Sequence, residues 1–387
     1  MQTTKTKSVF GIETPLFLII FALIFGSLIV EMGIGNMMNT IINTAYALLL
    51  DTVFYIMAIS VIAGAVGSLF TEFGVIALFN VLLSPLMQPL FGLPGASAIG
   101  ILSTFLSDNP AILALADDVS FRRYFKKYQL PALTNLGTGF GMGLITITFM
   151  MSLSGTNNQS FVMPALIGLL GATIGSIISV RIMLHFTKKE FGTKEEAYEG
   201  NDESYMIKDM RVVHEGTVMT RMLNALIEGG KQGVKLGFEI IPGVLIICTI
   251  VLMFTNGCPS GQYTGAAYEG IALLPKIGQQ FNFILQPLFG FTSPECISVP
   301  ITALGSVGAS IGLIPNMLVE GLAGANDIAV FTAMGMCFSG YLSTHVAMMS
   351  VLKFPKLTSK SIFAHTIGGL CAGISAHLIY SLIIMFI

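Results

Sequence analysis

"SPLMQPLFGLPGASAIGILSTFLS" at 84–107 and "FNFILQPLFGFTSPECISVPITALGS" at 281–306 share the pentapeptide Gln-Pro-Leu-Phe-Gly, first at 88–92 and again at 286–290. The copies lie 198 positions apart in a chain of 387 residues. Each precedes an apolar stretch interrupted by Pro and Gly and carrying polar or acidic residues in mid-segment. Further matches keep the same order. "GM" recurs at 141–142 and 335–336, "MMS" at 150–152 and 348–350, and "IGLLGATIG" (167–175) aligns with "IGGLCAGIS" (367–375), at offsets of 194 to 200. The chain therefore reads as two copies of one unit.

Composition says what the unit is made for. Hydrophobic residues make up 53% and charged residues 10%, and the mean hydropathy is +0.80. This is the profile of an integral membrane protein rather than a soluble domain. A net charge of −2 and the absence of a basic block give nucleic acid nothing to bind. The five cysteines, 248, 258, 296, 337 and 371, form neither a C-x-x-C pair nor a Cys/His cluster, which argues against a disulfide framework and a zinc site.

A bilayer core of about 30 Å needs about 20 apolar residues per helix. Seven segments qualify: 14–32, 50–70, 131–151, 162–186, 236–255, 326–352 and 361–386. The broken stretches 94–116 and 294–320 read as re-entrant hairpins, since irregular backbone at membrane depth must be buried in protein or line a cavity. Interfacial helices at 72–91 and 271–290 lead into them. The expected fold is an all-α polytopic membrane protein with about seven transmembrane helices and two re-entrant hairpins in an inverted-topology repeat. Its parts are an N-terminal span and connection (1–44), a first repeat (45–186), a cytoplasmic linker (187–232) and a second, inverted repeat (233–387). Lys and Arg cluster in "MQTTKTK", "FRRYFKKYQ" and "KFPKLTSK". That places these loops and the N-terminus in the cytoplasm, in an inner (cytoplasmic) membrane. Three crossings per unit would insert the second copy upside down, the arrangement in which secondary transporters bind substrate between broken helices.

The hairpins "SDNPAILALADD" (107–118) and "GFTSPECISVPITALGS" (290–306), each following a P-L-F-G turn, resemble the Gate or nucleoside-recognition domain. Concentrative nucleoside transporters, ferrous-iron transport protein B and the spore maturation membrane proteins share that domain. The resemblance covers roughly 45–150 and 230–350. It implies a transporter-like core with two opposed hairpins at a central cavity, and makes nucleoside-like compounds the favoured solutes. The chain departs from the nucleoside transporters in lacking their G-Q-x-E and N-E-F signatures, and from the iron transporter in lacking a G-protein domain.

Polar residues at membrane depth are the site candidates. Ser103, Thr104, Ser107, Asp108 and Asn109 cluster before Pro110, where Asp108 or Asn109 serves as a helix cap or as a substrate contact. Thr292 or Ser293 is expected to cap a helix with Pro294 in its first turn. Glu295 behind them is either a cap residue or a substrate acceptor and proton carrier. Ser298, Thr302, Ser306 and Ser310 recur every four residues, which would set them on one face, lining a cavity or packing helices. Asn135 and Thr138 are expected to face the first hairpin. Asn326 and Asp327 read as caps, and Asp117 and Asp118 as partners of the adjacent basic loop. Ser339, Ser343 and His345 lie deeper, and the histidine either relays protons, binds a polar ligand or packs.

The reading that follows is secondary active transport of a small polar solute, with Na+ or H+ as coupling ion and no other cofactor. The alternative is a non-transporting receptor or assembly factor. No nucleophile, metal cluster or paired carboxylates suggest an enzyme. The bilayer is the obligatory partner, and a homo-oligomer is compatible with the extra first span.

Overall fold

The computed structural model describes residues 11–107, 109, 111–112, 119–122, 124–155, 159–197, 214–258 and 261–386. Asp108, Pro110, Asp117 and Asp118 lie outside the described residues. Within them the chain is helical, apart from the isolated backbone pairs Lys126–Glu196 and Ser154–Ser160. In chain order the helices are α1 (Glu13–Met32), α2 (Ile34–Ala47), α3 (Phe54–Glu72), α4 (Val75–Phe91), α5 (Ser97–Leu106), α6 (Val119–Arg122), α7 (Ala132–Thr138), α8 (Gly143–Ser152) and α9 (Val162–Phe191). The second half holds α10 (Val218–Pro242), α11 (Thr249–Thr255), α12 (Leu273–Gln280), α13 (Asn282–Phe289), α14 (Ser298–Ala303), α15 (Val307–Val319), α16 (Ala325–Phe338), α17 (Tyr341–Val351) and α18 (Thr358–Ile384). The chain is a multi-pass, all-α membrane protein.

Five stretches are long and apolar enough to cross a bilayer: Glu13–Met32, Ile34–Glu72, Lys127–Ser152, Val162–Phe191 and Pro355–Ile384. The other two expected spans, 236–255 and 326–352, are built from pieces. The expected span 326–352 is broken at Ser339–Gly340, where Gly340 takes φ +64°. The expected span 131–151 is likewise two helices, parted at Gly139–Met142, with Met142 at φ +52°. The glycines of "GTGFGMG" explain the break, since they tolerate left-handed and irregular backbone. The expected span 50–70 begins earlier, as α2 runs into α3 through a π-helical turn at Leu48–Val53 with no Pro or Gly to stop it. A matching π turn at Gly243–Cys248 joins α10 to α11, so 236–255 is also longer than expected. The linker 187–232 is shorter: α9 continues to Phe191, with Lys188 and Lys189 suited to its negative C-terminal end, and α10 starts at Val218. The interfacial stretch 271–290 is two helices meeting at Phe281.

Corresponding elements recur at nearly one offset. The π turns start 195 positions apart (Leu48, Gly243), the left-handed glycines that end α4 and α13 are 198 apart (Gly92, Gly290), and α9 and α18 start 196 apart (Val162, Thr358). The left-handed residues at the two breaks, Met142 and Gly340, are also 198 apart.

Small residues hold the long helices together, as expected where lipid removes the hydrophobic drive between helices. On α9, Gly171 and Gly175 lie against Ala372, Ala376 and Gly368 of α18, so closely that a β-carbon at Gly175 would strike the Gly368 carbonyl. Gly64 of α3 meets Gly229 of α10 in the same manner. At the end of α3 the buried Glu72 carboxylate accepts from Arg221 Nε at 2.6 Å and from His214 Nδ1 at 2.5 Å, tying α10 to α3. Much of α1 presents its apolar side chains outward, including Phe17 and Leu23.

Overpacking such a seam costs about 1–3 kcal/mol. Gly175→Val is therefore expected to lower the thermal unfolding midpoint of the protein in lipid nanodiscs. Gly26→Val on α1, where a β-carbon meets nothing within 4 Å, is expected to leave the midpoint unchanged in the same measurement.

Candidate functional site

A helix end leaves carbonyls without partners in the helix, and each of the two Gln-Pro-Leu-Phe-Gly turns is such an end. In the first, Arg181 of α9 donates from Nε to the Leu90 carbonyl at 2.8 Å and from its terminal nitrogen to the Pro89 carbonyl. Gln129 Nε2 donates to the Gly92 carbonyl at 3.1 Å. In the second, Asn326 Nδ2 donates to the carbonyls of Phe289 at 2.9 Å and Gly290 at 2.8 Å. Its Oδ1 accepts from His377 Nδ1 of α18 at 2.8 Å. Gln129 and Asn326 are 197 positions apart, and Arg181 and His377 are 196 apart. The repeated pentapeptide is thus a helix end that a side chain from the long helix and an amide from the broken helix hold in place. Both terminal glycines are left-handed, and the His377 ring presses against Gly290 where a β-carbon would sit.

Beyond each turn comes a hairpin. In the second, α14 stops at Ala303 and α15 begins at Val307, with the Ser306 hydroxyl accepting from the Ala309 N–H at 3.2 Å. Ser298, Thr302, Ser306 and Ser310 therefore do not share one helical face, because Gly305 and the Ser306 cap turn the chain between the second and fourth of them. Ser298 donates to the Glu295 carbonyl, Thr302 to Ser298 and Ser310 to Val307, so three of the hydroxyls are spent on their own helices. The tip of this hairpin is Leu304–Ser306, which corresponds in position to Ser107–Asn109 of the first. Thr292–Glu295, matched by sequence to that first tip, stands instead at the entrance to the second hairpin.

At that entrance neither Thr292 nor Ser293 caps the short helix Pro294–Ile297 through its side chain. Thr292 is tied to Asp327: its N–H donates to Oδ1 at 3.0 Å and its hydroxyl to Oδ2. Asp327 also accepts from the Gly324 N–H at 2.8 Å, which caps α16 as expected. Ser293 lies 3.7 Å from the Cys296 thiol. Glu295 is half-buried in the first turn, with no hydrogen-bond or ion-pair partner among the described residues.

The first hairpin carries the contact between halves. Asn109 Nδ2 donates to the Ser339 carbonyl at 2.6 Å, at the break between α16 and α17. Its amide oxygen lies flush against Gly141, at the break between α7 and α8, with Ser339 Oγ close by. One hairpin tip thus touches both interrupted helices. Thr104 donates to the carbonyls of Gly100 and Ile101, Ser107 donates to Ser103, and Ser103 itself is half-buried. Asn109 and Ser339 come together here; Asn135 and His345 do not join them.

Asn135 turns away from the hairpin, toward α9 and α18. It donates to Ser179 Oγ at 2.9 Å and the Ser361 carbonyl at 3.0 Å, and accepts from Ser361 Oγ at 2.7 Å. Thr138 donates to the Thr134 carbonyl of its own helix. Ser179 Oγ lies 2.9 Å from His365 Nδ1, and His365 Nε2 donates to the Cys337 carbonyl, which fixes a hydrogen on Nε2. The His345 ring lies 4.7 Å from His365, and its Nδ1 donates to the Tyr341 carbonyl at 3.0 Å. Ser343 is on the same helix, α17. This polar core was not apparent from sequence, because Ser179, Ser361 and His365 come from elements far apart in the chain.

No group of three His, Cys, Asp or Glu side chains able to hold a metal ion occurs among the described residues. No protein-family model matches the chain, and no curated protein matches it. Solved structures do. CNTnw, a concentrative nucleoside transporter, in an inward-facing substrate-bound state aligns over 96% of this chain and 87% of its own, with a TM-score of 0.53 and 13% identity. A variant of CNTnw in a state called intermediate 2 aligns over the same shares, with a TM-score of 0.51 and 11% identity. The chain shares their fold.

Leaving a buried polar partner unsatisfied costs about 1–3 kcal/mol. Asn135→Leu, which orphans Ser361 Oγ and takes one of the two partners of Ser179 Oγ, is expected to lower the thermal midpoint by several degrees, whereas Ser103→Ala, on a half-buried hydroxyl, leaves it within one degree.

Proposed function

We propose that this protein is a secondary active transporter of a small polar solute, coupled to Na+ or H+, with its site where the first hairpin tip meets the two interrupted helices. The observation that carries the reading is the Asn109 bridge. It joins a re-entrant tip of one half to the Ser339 carbonyl of the other and lies against Gly141. Such a meeting of broken helices near the midplane is where transporters of repeated architecture bind their solute. The shared fold with CNTnw, described in one structure as substrate-bound, supports the same assignment and favours nucleoside-like solutes.

In this reading the halves are inserted with opposite topology and the basic loops are cytoplasmic. Ser107, Asn109 and Ser339 supply amide, hydroxyl and carbonyl groups for a polar solute or a coupling cation. Ser103, half-buried on the helix before the first tip, offers a hydroxyl to the approach, whereas Thr104 and Ser298 brace their own helices. Glu295, a half-buried carboxylate without a partner, offers an acceptor for solute hydroxyls at the mouth of the second hairpin. Thr292 and Ser293 shape that mouth. Asn135 and His345 belong to the polar core that braces the broken helices from behind.

Reconstitution into proteoliposomes with imposed gradients provides the test. Uptake of a labelled nucleoside-like solute is expected to require an inward Na+ or H+ gradient. Asn109→Ala is expected to reduce it by about tenfold, the effect of removing roughly 1.4 kcal/mol from one state of the cycle. Glu295→Gln is expected to raise the half-saturating solute concentration with a smaller effect on maximal rate. Saturable solute binding without gradient-driven flux would sink the transport reading.

A further inference from the structure

We propose that the outward face of α9 at Arg181, His185 and Lys188 binds the headgroup of an anionic phospholipid. Spacings of four and three set these residues on one face of the helix, and all three are exposed. Earlier in α9 the same face carries Leu166, Leu170, Ile174 and Ile177, the first two exposed and the others half-buried. The stripe changes once along the helix, from apolar to basic.

The place of that change matches a bilayer. Val162, where α9 starts, and Arg181 are 19 positions apart. At about 1.5 Å per residue this is about 28 Å, close to the hydrocarbon thickness of about 30 Å. With the apolar part of the stripe against acyl chains, Arg181 stands at the depth of the lipid phosphates. Lys188 lies about 10 Å further on, beyond the hydrocarbon.

Nothing in the chain neutralises this end of the stripe. Lys126 and Lys127 of the neighbouring loop pair with Glu196 and Glu195, and Lys360 pairs with Glu190. Arg181, His185 and Lys188 have no carboxylate partner among the described residues. Two of these side chains are nevertheless held in position. Arg181 is fixed by donating from Nε and one terminal nitrogen to the Leu90 and Pro89 carbonyls, while its other terminal nitrogen makes no hydrogen bond among the described residues. The Lys188 ammonium rests over the Tyr128 ring, 5.5 Å from its centroid. Spare N–H groups on a guanidinium and an ammonium are strong donors to phosphate oxygens, and a headgroup phosphate supplies the counter-charge that no side chain does.

The second half does not repeat the arrangement. The positions of α18 that correspond at the offset of 196 are His377, Ser381 and Ile384, with no permanent cation among them. The basic stripe is therefore not a demand of the repeated fold. A soluble acidic partner fits it less well than a lipid, because its apolar continuation runs along the part of α9 that faces acyl chains.

Native mass spectrometry of the full chain, released from detergent carrying phosphatidylglycerol or phosphatidylcholine, tests the site. The natural protein is expected to retain phosphatidylglycerol in preference to phosphatidylcholine. Lys188→Gln is expected to weaken phosphatidylglycerol about fivefold, the share of one cation near an anionic surface, and to leave phosphatidylcholine unchanged. Lys188 is the residue to change because it is exposed and makes no hydrogen bond, whereas Arg181 also holds the first turn. Lys356→Gln serves as the control and is expected to change neither lipid. That lysine is exposed at the same end of the molecule, where Phe354 meets Phe191 at the end of α9. No preference for phosphatidylglycerol, or equal losses from the two variants, overturns the proposal, since diffuse attraction to surface charge would suffice. Displacement of phosphatidylglycerol by inorganic phosphate would make the stripe a free-phosphate site and overturn the lipid assignment. No transported solute enters these measurements, so their failure leaves the transport reading standing, and a failure of uptake leaves the lipid site standing.

Discussion

The controlling constraint in this molecule is that a backbone carbonyl at a helix end inside a membrane has no water to turn to. Several departures from a plain bundle of spanning helices come with side-chain partners for the groups they expose. Arg181 and Gln129 hold the first Gln-Pro-Leu-Phe-Gly turn, Asn326 with His377 behind it holds the second, and Ser306 and Asp327 cap the helices that follow. Asn109 takes up the Ser339 carbonyl where α16 stops. Hairpins and interrupted helices can exist at depth because these side chains stand in for solvent, and the hydrogen-bonding groups that a polar solute would need come from the same interruptions.

Two kinds of packing surround the interruptions. The seams α9–α18 and α3–α10 bring backbones together through glycine, and rigid contact over several turns results. Between them and the hairpins lies the network running from Asn135 through Ser179, Ser361 and His365. Polar networks of this kind define one arrangement sharply, since any shift leaves a buried donor or acceptor unmatched. The broken helices are therefore braced on the side away from Asn109 and interrupted on the side facing it.

The membrane class, the approximate spans and the presence of broken segments were legible because hydropathy and Pro/Gly placement are local properties. Five spans fell where the apolar runs did. The breaks inside 131–151 and 326–352 were harder to read, since glycine in a membrane helix signals close packing as often as interruption, and only the backbone at Met142 and Gly340 decides between them. The second hairpin tip was misjudged for a related reason. Pro294 and Glu295 look like a helix start, and they are one, but the chain turns later, at Gly305–Ser306. Arg181 and His377 were not legible as counterparts, since the halves keep the position, 196 residues apart, but not the residue type.

The seam between α9 and α18 has one more consequence. These helices occupy equivalent places in the two halves, and they meet each other, glycine to glycine, at Gly175 and Gly368. A surface that packs against its own equivalent is self-complementary, the property of a two-fold interface between identical subunits. Within one chain that property makes the α9–α18 contact a pseudo-two-fold seam, about which the halves keep their positions while differing in chemistry at 181 and 377.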